Sequence, residues 1–300
     1  METAPVGTKP SQRADADILE NIWNAFQKED VVRFLDIQDV SMAVEEGQVF
    51  LSGHVARSLN QQRMEDMARS VPGVAAVHNH LVSDQDLTVQ VARALGKNEL
   101  VRSFVIPVYC FHGWISLGGA VPSRELQRAA EIAAAQIPTV RGVISGPRVM
   151  GEGEDAPRLA LQPRIGARMY GGNETEGTIS QAIIRPENRL VSHAVVRMKL
   201  GKEGCGAAGD YLVPVEAMDL VNEEEVFLFL DAPAINTFPL FLARDYPIAP
   251  LTWQPPYPYV VGRVRWPRDE KLLVEMDPRT PTASILPEEM FGMLKSGNPR

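Results

Sequence analysis

Only two cysteines occur in 300 residues, Cys110 and Cys205. They fall in separate predicted units, one on a strand and one in a glycine-rich loop, so reduced thiols are expected rather than a disulfide framework. No stretch reaches the roughly 18 consecutive apolar residues of a spanning helix. Met1 to Gln12 has neither a long apolar run nor a cleavage-site pattern, and a cytoplasmic location is expected. Positive charge is scarce too. Thirty Lys and Arg stand against 38 Asp and Glu, a net of −8. That balance excludes broad attraction to nucleic acid or anionic lipid but leaves room for a local basic face. The G-x-S-x-G, H-E-x-x-H, paired C-x-x-C and Walker patterns are all missing, and the acids are spread along exposed faces. No enzyme, cofactor or metal site is expected.

What the chain does contain is an internal repeat. Glu46-Gly47-Gln48-Val49-Phe50-Leu51-Ser52-Gly53-His54-Val55 recurs as His112-Gly113-Trp114-Ile115-Ser116-Leu117-Gly118-Gly119-Ala120-Val121, at a constant offset of 66. Gly47, Gly53, Gly113 and Gly119 hold matching places in the turn and at the strand end. A polar leader, residues 1–13, precedes the first copy, residues 14–82. There Ile18, Ile22 and Phe26 mark one helix face, with Asp15 or Asp17 placed to cap it. Val40, Met42 and Val44 alternate as a strand, Glu46-Gly47 turns the chain, and Val49 to Val55 return. A second helix runs from about Leu59 to Val71 behind Ser58 as its cap, and a last strand spans Val74 to Val82. The second copy, residues 84–150, repeats this order. Leu87, Val91 and Leu95 form the first helix, Ile106 to Cys110 a strand, and Arg124 to Ile137 a helix capped by Ser123. Thr139 and Ser145 stand where the first copy has Gly73 and Asn79. Each copy is thus predicted to be an αββαβ two-layer sandwich.

The strand ends Leu51-Ser52-Gly53-His54-Val55 and Leu117-Gly118-Gly119-Ala120-Val121, with the closing Gly73-Val74-x-x-Val77-x-Asn79-x-Leu81, resemble the BON domain. The resemblance covers about 135 residues. It implies binding, to phospholipid surfaces, in envelope maintenance or to partner proteins, and it carries no catalytic residue.

An acidic, glycine-rich linker, residues 151–159, changes the composition. Residues 160–231 show no helical period. Instead, short strands are expected at Ile165–Tyr170, Thr178–Ile184, Val191–Met198, Tyr211–Val215 and Val226–Leu230, enough for a small all-β barrel. Ile165-Gly166 leading into Met169-Tyr170, Gly177-Thr178-Ile179, the hairpin Arg185-Pro186-Glu187-Asn188-Arg189 and Leu212-Val213-Pro214-Val215 resemble the PRC-barrel. That resemblance implies a protein-docking or RNA-processing module. Residues 232–300 form a tail with twelve of the 23 prolines. Phe238, Leu240, Phe241 and Leu242 predict partial docking of the tail onto the folded units. Short strands at Val260–Val264 and Leu272–Met276 and a helical turn at Glu288–Leu294 complete the reading. The fold class is α+β: two sandwiches, a barrel and a proline-rich tail.

Three arginines are candidate binding residues. Arg124 and Arg128 lie one turn apart on the polar face of a helix, and Arg93 lies on the polar side of another. Residues 83–150 carry seven basic and five acidic side chains, and residues 13–82 six and eleven. The copies therefore differ electrically, and the second is the better match to phosphate head groups or an acidic partner. The bland alternative is a solvated face diluted by Glu125 and Glu131. Gly204-Cys205-Gly206-Ala207-Ala208-Gly209 matches G-x-G-x-x-G, but a strand follows it where phosphate binding needs a helix, so a hairpin loop is the better reading. His78 and His80 share a strand face, with His54 the only nearby third ligand, and read as solvated. His112 and His193 show no partner pattern.

These features point to a non-catalytic adaptor or stress-associated scaffold of the bacterial cytoplasm, bound to a protein or peripherally to anionic lipid. An RNA- or ribosome-associated role through the barrel is the alternative. Its eight basic and fourteen acidic residues over 151–231 count against direct RNA contact. An enzyme of unknown type is the third possibility.

Overall fold

The structure is a computed structural model. It describes residues 10–153, 155, 158, 161–171, 175–198, 209–222, 224–228 and 238–267. Cys205 with its loop, the strand expected at Leu272–Met276 and the helical turn expected at Glu288–Leu294 lie outside them. The described chain divides into two compact units. One runs to Gln90 and includes Cys110–Gly113; the other holds Val91–Tyr109 and the residues from Trp114 onward.

The first repeat is built from α1 (Pro10–Lys28), α2 (Asp30–Leu35), β1 (Val40–Glu45), β2 (Gln48–Val55), α3 (Ser58–Ser70) and β3 (Ala76–Ser83). The sheet order is β1-β2-β3, with β1 antiparallel and β3 parallel to β2. Ile18, Ile22 and Phe26 of α1, Met64 and Ala68 of α3, and Val49, Leu51 and Val55 of β2 are buried together. The period-four and period-two stripes of the sequence therefore meet in one core. Glu46 (φ 52°) and Gly47 (φ 76°) are both left-handed, and Glu45 pairs with Gln48 across them. That is the two-residue turn whose twist suits a hairpin.

Several local expectations are revised. Helix α1 opens at Pro10, so Asp15 sits inside it and caps nothing there. Ser58 is the first residue of α3 and the N-cap is Arg57, with no side-chain cap bond. The Ser58 hydroxyl instead donates to Asp86 Oδ2 at 2.8 Å and lies 3.1 Å from Ser83 Oγ. Helix α2 has no counterpart in the sequence reading. Its six residues are too few for a visible period, and the Glu29 side chain caps it by accepting from Val31 N at 2.8 Å.

The second repeat comprises α4 (Asp84–Lys97), β4 (Val108–Phe111), β5 (Trp114–Leu117), β6 (Ala120–Val121), α5 (Arg124–Ala135), β7 (Gly142–Ser145) and β8 (Arg148–Val149). Ser123 caps α5 as expected, accepting from Leu126 N. Where β2 and β3 run unbroken in the first copy, the second splits the same path into a three-stranded sheet, β4-β5-β7, and a separate pair, β6-β8. The breaks fall at Gly118-Gly119 and Gly146-Pro147. Proline has no amide proton to give the ladder, and glycine marks the bend.

Helix α5 is buried nearly all round, from Ala129 to Ala135. Alanine combines the best helix propensity with the smallest side chain, so neighbours can approach from several sides. Its polar residues on those sides are paired: Arg158 bonds Glu131 Oε1 at 2.9 Å, and Gln127 bonds Asp155 Oδ2 at 3.0 Å. Asp155 and Arg158, from the stretch read as a linker, are thereby tied to α5.

Beyond it, β9 (Arg168–Gly171), β10 (Thr175–Ile184), β11 (Val191–Met198), β12 (Gly209–Pro214), β13 (Met218–Asn222) and β14 (Glu225–Leu228) form a curled half-barrel sheet of order β12-β11-β10-β9-β14-β13. Its register shifts twice between β10 and β11, and such irregularities bend a sheet. Among the described residues β12 and β13 do not pair, so the sheet stays open rather than closing into the expected barrel. Strand β13 was not anticipated, because its Met218-Asp219-Leu220-Val221-Asn222 carries a weak alternation. A further strand, β15 (Val264–Arg265), comes from the tail and lies parallel to Ala182–Ile183 of β10. Tyr259, Val264 and Trp266 complete the sheet's core with Met169, Ile179, Val196 and Val226.

One side chain locks this sheet to the second repeat. Arg189 is only 2% exposed and has φ 62° in the hairpin between β10 and β11. Its guanidinium donates to Val140 O at 2.6 Å and to Pro138 O and Gln254 O at 2.9 Å. The first two carbonyls lie beyond the end of α5, and a third contact, at 3.5 Å, reaches Ala135 O in its last turn, where backbone acceptors lack helical partners and the dipole favours a cation. The Trp253 ring centroid lies 5.3 Å from the guanidinium carbon. Burial pushes the Arg189 pKa down to about 10, so the group is still charged at neutral pH.

Candidate binding surfaces

The same device holds the hairpin in both repeats. In the first, the Asp15 carboxylate of α1 accepts from Glu46 N at 2.9 Å and Gly47 N at 2.8 Å. In the second, the Asp84 carboxylate at the start of α4 accepts from His112 N at 2.6 Å and Gly113 N at 2.8 Å. His112 (φ 50°) and Gly113 (φ 78°) repeat the left-handed turn of Glu46-Gly47. Asp15 and Asp84 are 69 apart, the offset of the first helices. This spacing was readable in the sequence, but a carboxylate's hold on a turn some thirty residues away was not.

The second hairpin's tip sits against the first repeat. His112 Nδ1 lies 2.7 Å from Asp39 Oδ2, a partner without any sequence signal. The ring of His54, which is buried, lies against Gly113 so closely that an added Cβ would fall 2.4 Å from Nε2. Asp36 is buried beside them and accepts from Ala56 N and Asn60 Nδ2, each at 2.6 Å. Burial raises its pKa above the usual carboxylate value, partly opposed by those two bonds and by His112. The Cys110 thiol donates to Asp84 Oδ1 at 3.2 Å. Burial first, and Asp84 second, push its pKa far above that of an ordinary thiol, so it is not built to act as a nucleophile.

Outward from the tip, the chain leading into and along β4 is conspicuously apolar. Val105 is 85% exposed, Tyr109 63% and Phe111 71%. Tyr109 and Phe111 are two apart on one strand and share a face, and β4 is an edge of its sheet.

The candidate arginines are not equivalent. Arg124 Nε donates to Glu152 Oε2 at 2.7 Å and Nη1 bonds Asp155 Oδ2 at 2.5 Å. The Asp155 pKa is lowered chiefly by that bond to Arg124. Arg93 and Arg128 are exposed, and among the described residues neither has an ion-pair partner. The strand-end glycines Gly53 (φ 117°) and Gly119 (φ 83°) are left-handed. A Cβ on Gly53 would fall 1.9 Å from Asp39 O, and one on Gly119 2.4 Å from Val105 O. His78 is stacked on Phe50 and hydrogen-bonded to Gln48 at 3.0 Å. Among the described residues no cluster of His, Cys, Asp and Glu has the arrangement of a metal site, and no helix is long and apolar enough to cross a membrane.

The BON domain family model matches residues 14–82 and again residues 83–149. The chain carries two BON domains. Their repeated turn and carboxylate belong to this tandem unit, and the half-barrel sheet follows it. No curated protein matches the chain. Two solved structures of CdsD, a structural protein of the type III secretion system of Chlamydia trachomatis, are similar over part of it. One shares 16% identity at a TM-score of 0.36, covering 44% of this chain and 61% of that one. The other, the CdsD C-terminal domain, shares 19% identity at a TM-score of 0.30, covering 37% and 52%. The chain therefore spans somewhat under two thirds of the structures it matches.

Proposed function

We propose that the chain is a non-catalytic binding protein, an adaptor of the bacterial cytoplasm, that takes an extended segment of a partner protein along edge strand β4 of its second BON domain. The observation that carries this reading is the exposure of Val105 and Tyr109 on and before that strand. A sheet edge offers unpaired main-chain groups to an added strand, and its alternate side chains offer the partner an apolar grip. BON domains are consistent with either lipid or protein binding. Charge tilts the choice. Arg124 is already neutralised by Glu152 and Asp155 within its own unit, so of the three candidate arginines Arg93 and Arg128 are left for lipid phosphates.

Anionic lipid remains the second reading because those two arginines are exposed and unpaired among the described residues. A photo-crosslinking side chain at position 109, used in cells on the full chain, tests the first reading. A discrete protein adduct that Val105→Glu abolishes supports it. Salt-sensitive flotation with phosphatidylglycerol vesicles, lost in R93E/R128E but kept in Y109E, overturns it in favour of lipid. Co-sedimentation with ribosomes that survives both sets of changes would move the function to the half-barrel sheet. The PRC-barrel resemblance of that sheet and a stress-associated role belong to the same proposal, and neither is needed for the β4 test.

A further inference from the structure

We propose that the hairpin tip Cys110–Gly113 is a pH-sensitive latch on the first BON domain, closed by the charged His112–Asp39 pair and loosened when His112 loses its proton. The tip groups with the first unit although its sequence belongs to the second repeat. Its attachment has two parts of different pH character. The Asp84 carboxylate holds the backbone amides of His112 and Gly113, a contact that does not need the imidazole. The His112 Nδ1 contact with Asp39 at 2.7 Å is an ion pair only while the ring is protonated.

The groups facing this ring set the sign. Asp39 from the turn after α2 contacts it, with Asp36 from the end of α2 and Asp84 from α4 in its electrostatic neighbourhood. His54 from β2 packs on the adjacent Gly113, and Cys110 from the same hairpin is bound to Asp84. Asp39 and Asp36 thus act on the His112 ring while Asp84 holds its backbone amide, and the thiol stays neutral at physiological pH. A protonated His112 therefore ties the carboxylates together, and a neutral one leaves them facing one another. His112 and Asp39 are only 16% and 23% exposed at their side chains, so solvent screens the pair incompletely. Histidine is the side chain whose ordinary titration falls near neutrality. The latch is thus closed while His112 is protonated and loosened once the ring has lost its proton.

The readout is the hydrogen-exchange protection factor of the Phe111–Gly113 amides in the full chain, corrected for intrinsic exchange, at about pH 5.5 and about pH 8. Protection is expected to fall by about fivefold or more on raising the pH, a contact of the size seen for partly exposed ion pairs. His112→Asn keeps a residue that favours the left-handed turn, so it preserves the hairpin while removing the charge. Its protection is expected to be equal at both pH values, at the level the wild type shows at about pH 8, since the Asp84 bonds remain. Asp39→Asn is expected to give the same result. Wild-type protection that agrees within about twofold at the two pH values would overturn the proposal. So would a pH response that persists in H112N, and a response lost in His54→Gln but retained in H112N would assign it to His54 instead.

Discussion

The carboxylate of Asp84 takes the amide of Gly113 at 2.8 Å, and that of Asp15 takes the amide of Gly47 at the same distance. A helix thus grips the hairpin beside it twice in one chain. The two grips differ in burial, because Asp84 is buried while the Glu46 amide that Asp15 also serves is exposed. Asp84→Ala is expected to cost about 2–3 kcal/mol, since it leaves a buried amide unpaired. Asp15→Ala should cost about 1 kcal/mol or less, because water can replace the lost acceptor. Urea denaturation of the two variants, each followed by a probe within the first unit, measures the difference.

Gly53 and Gly96 make a contrasting pair of tests. Alanine at Gly53 must accept φ 117° and a Cβ 1.9 Å from Asp39 O, so the backbone of the first domain has to move. A loss above about 3 kcal/mol, or failure to fold, is expected. Gly96 lies in α4 with open space around it. Alanine there should raise stability by about 0.5 kcal/mol through helix propensity. Thermal melts of both variants beside the wild type decide the matter.

Arg189→Met is expected to destabilise the second unit by about 3 kcal/mol, because it strands the carbonyls of Val140, Pro138 and Gln254, which lose their donor. Arg189→Lys should recover little, since one ammonium cannot reproduce the planar fork that reaches Val140, Pro138 and Gln254. Differential scanning calorimetry should show the transition of the first unit in place and that of the second moved down.

Asp36 gives a pH signature of opposite sense to that of most paired carboxylates. Its folded pKa is raised by burial, so the native state holds the proton more tightly than the unfolded chain. The contribution is most favourable below the ordinary carboxylate pKa and is lost as pH rises through the raised folded value. Asp36→Asn should therefore gain stability relative to wild type on going from acid toward neutral pH. Paired urea titrations across that range would show the two curves converging or crossing; parallel curves would show that burial does not penalise the charge.

The sequence exposed the tandem repeat because its cores follow regular periods. Ile18, Ile22 and Phe26 in α1, and Val49, Leu51 and Val55 in β2, are buried where their spacing places them. Strand β11 matches its predicted span, Val191–Met198, because both of its faces are largely covered and it reads as a nearly continuous apolar run. The contacts that shape the candidate surfaces were less legible. His112 meets Asp39, and Arg189 meets the carbonyls beyond α5, across separations that leave no periodic trace. Arg124 looked available on its helix face, yet its partners Glu152 and Asp155 come from a stretch whose composition signalled only a linker. The half-barrel sheet was foreseen as a small barrel because strand count alone does not say whether the first and last strands meet.

Strand β10 accepts β15 along Ala182 and Ile183, and Arg265 reaches back to Gln181 over 84 residues of chain. During synthesis the first BON domain has all its partners in hand except those of its hairpin neighbour and can fold as it leaves the ribosome. The sheet cannot: its inner wall lacks Tyr259 and Trp266 until translation has passed them. A stop codon placed after the second repeat but before Val264 should therefore yield a product whose front end is sound and whose rear half is a substrate for proteases.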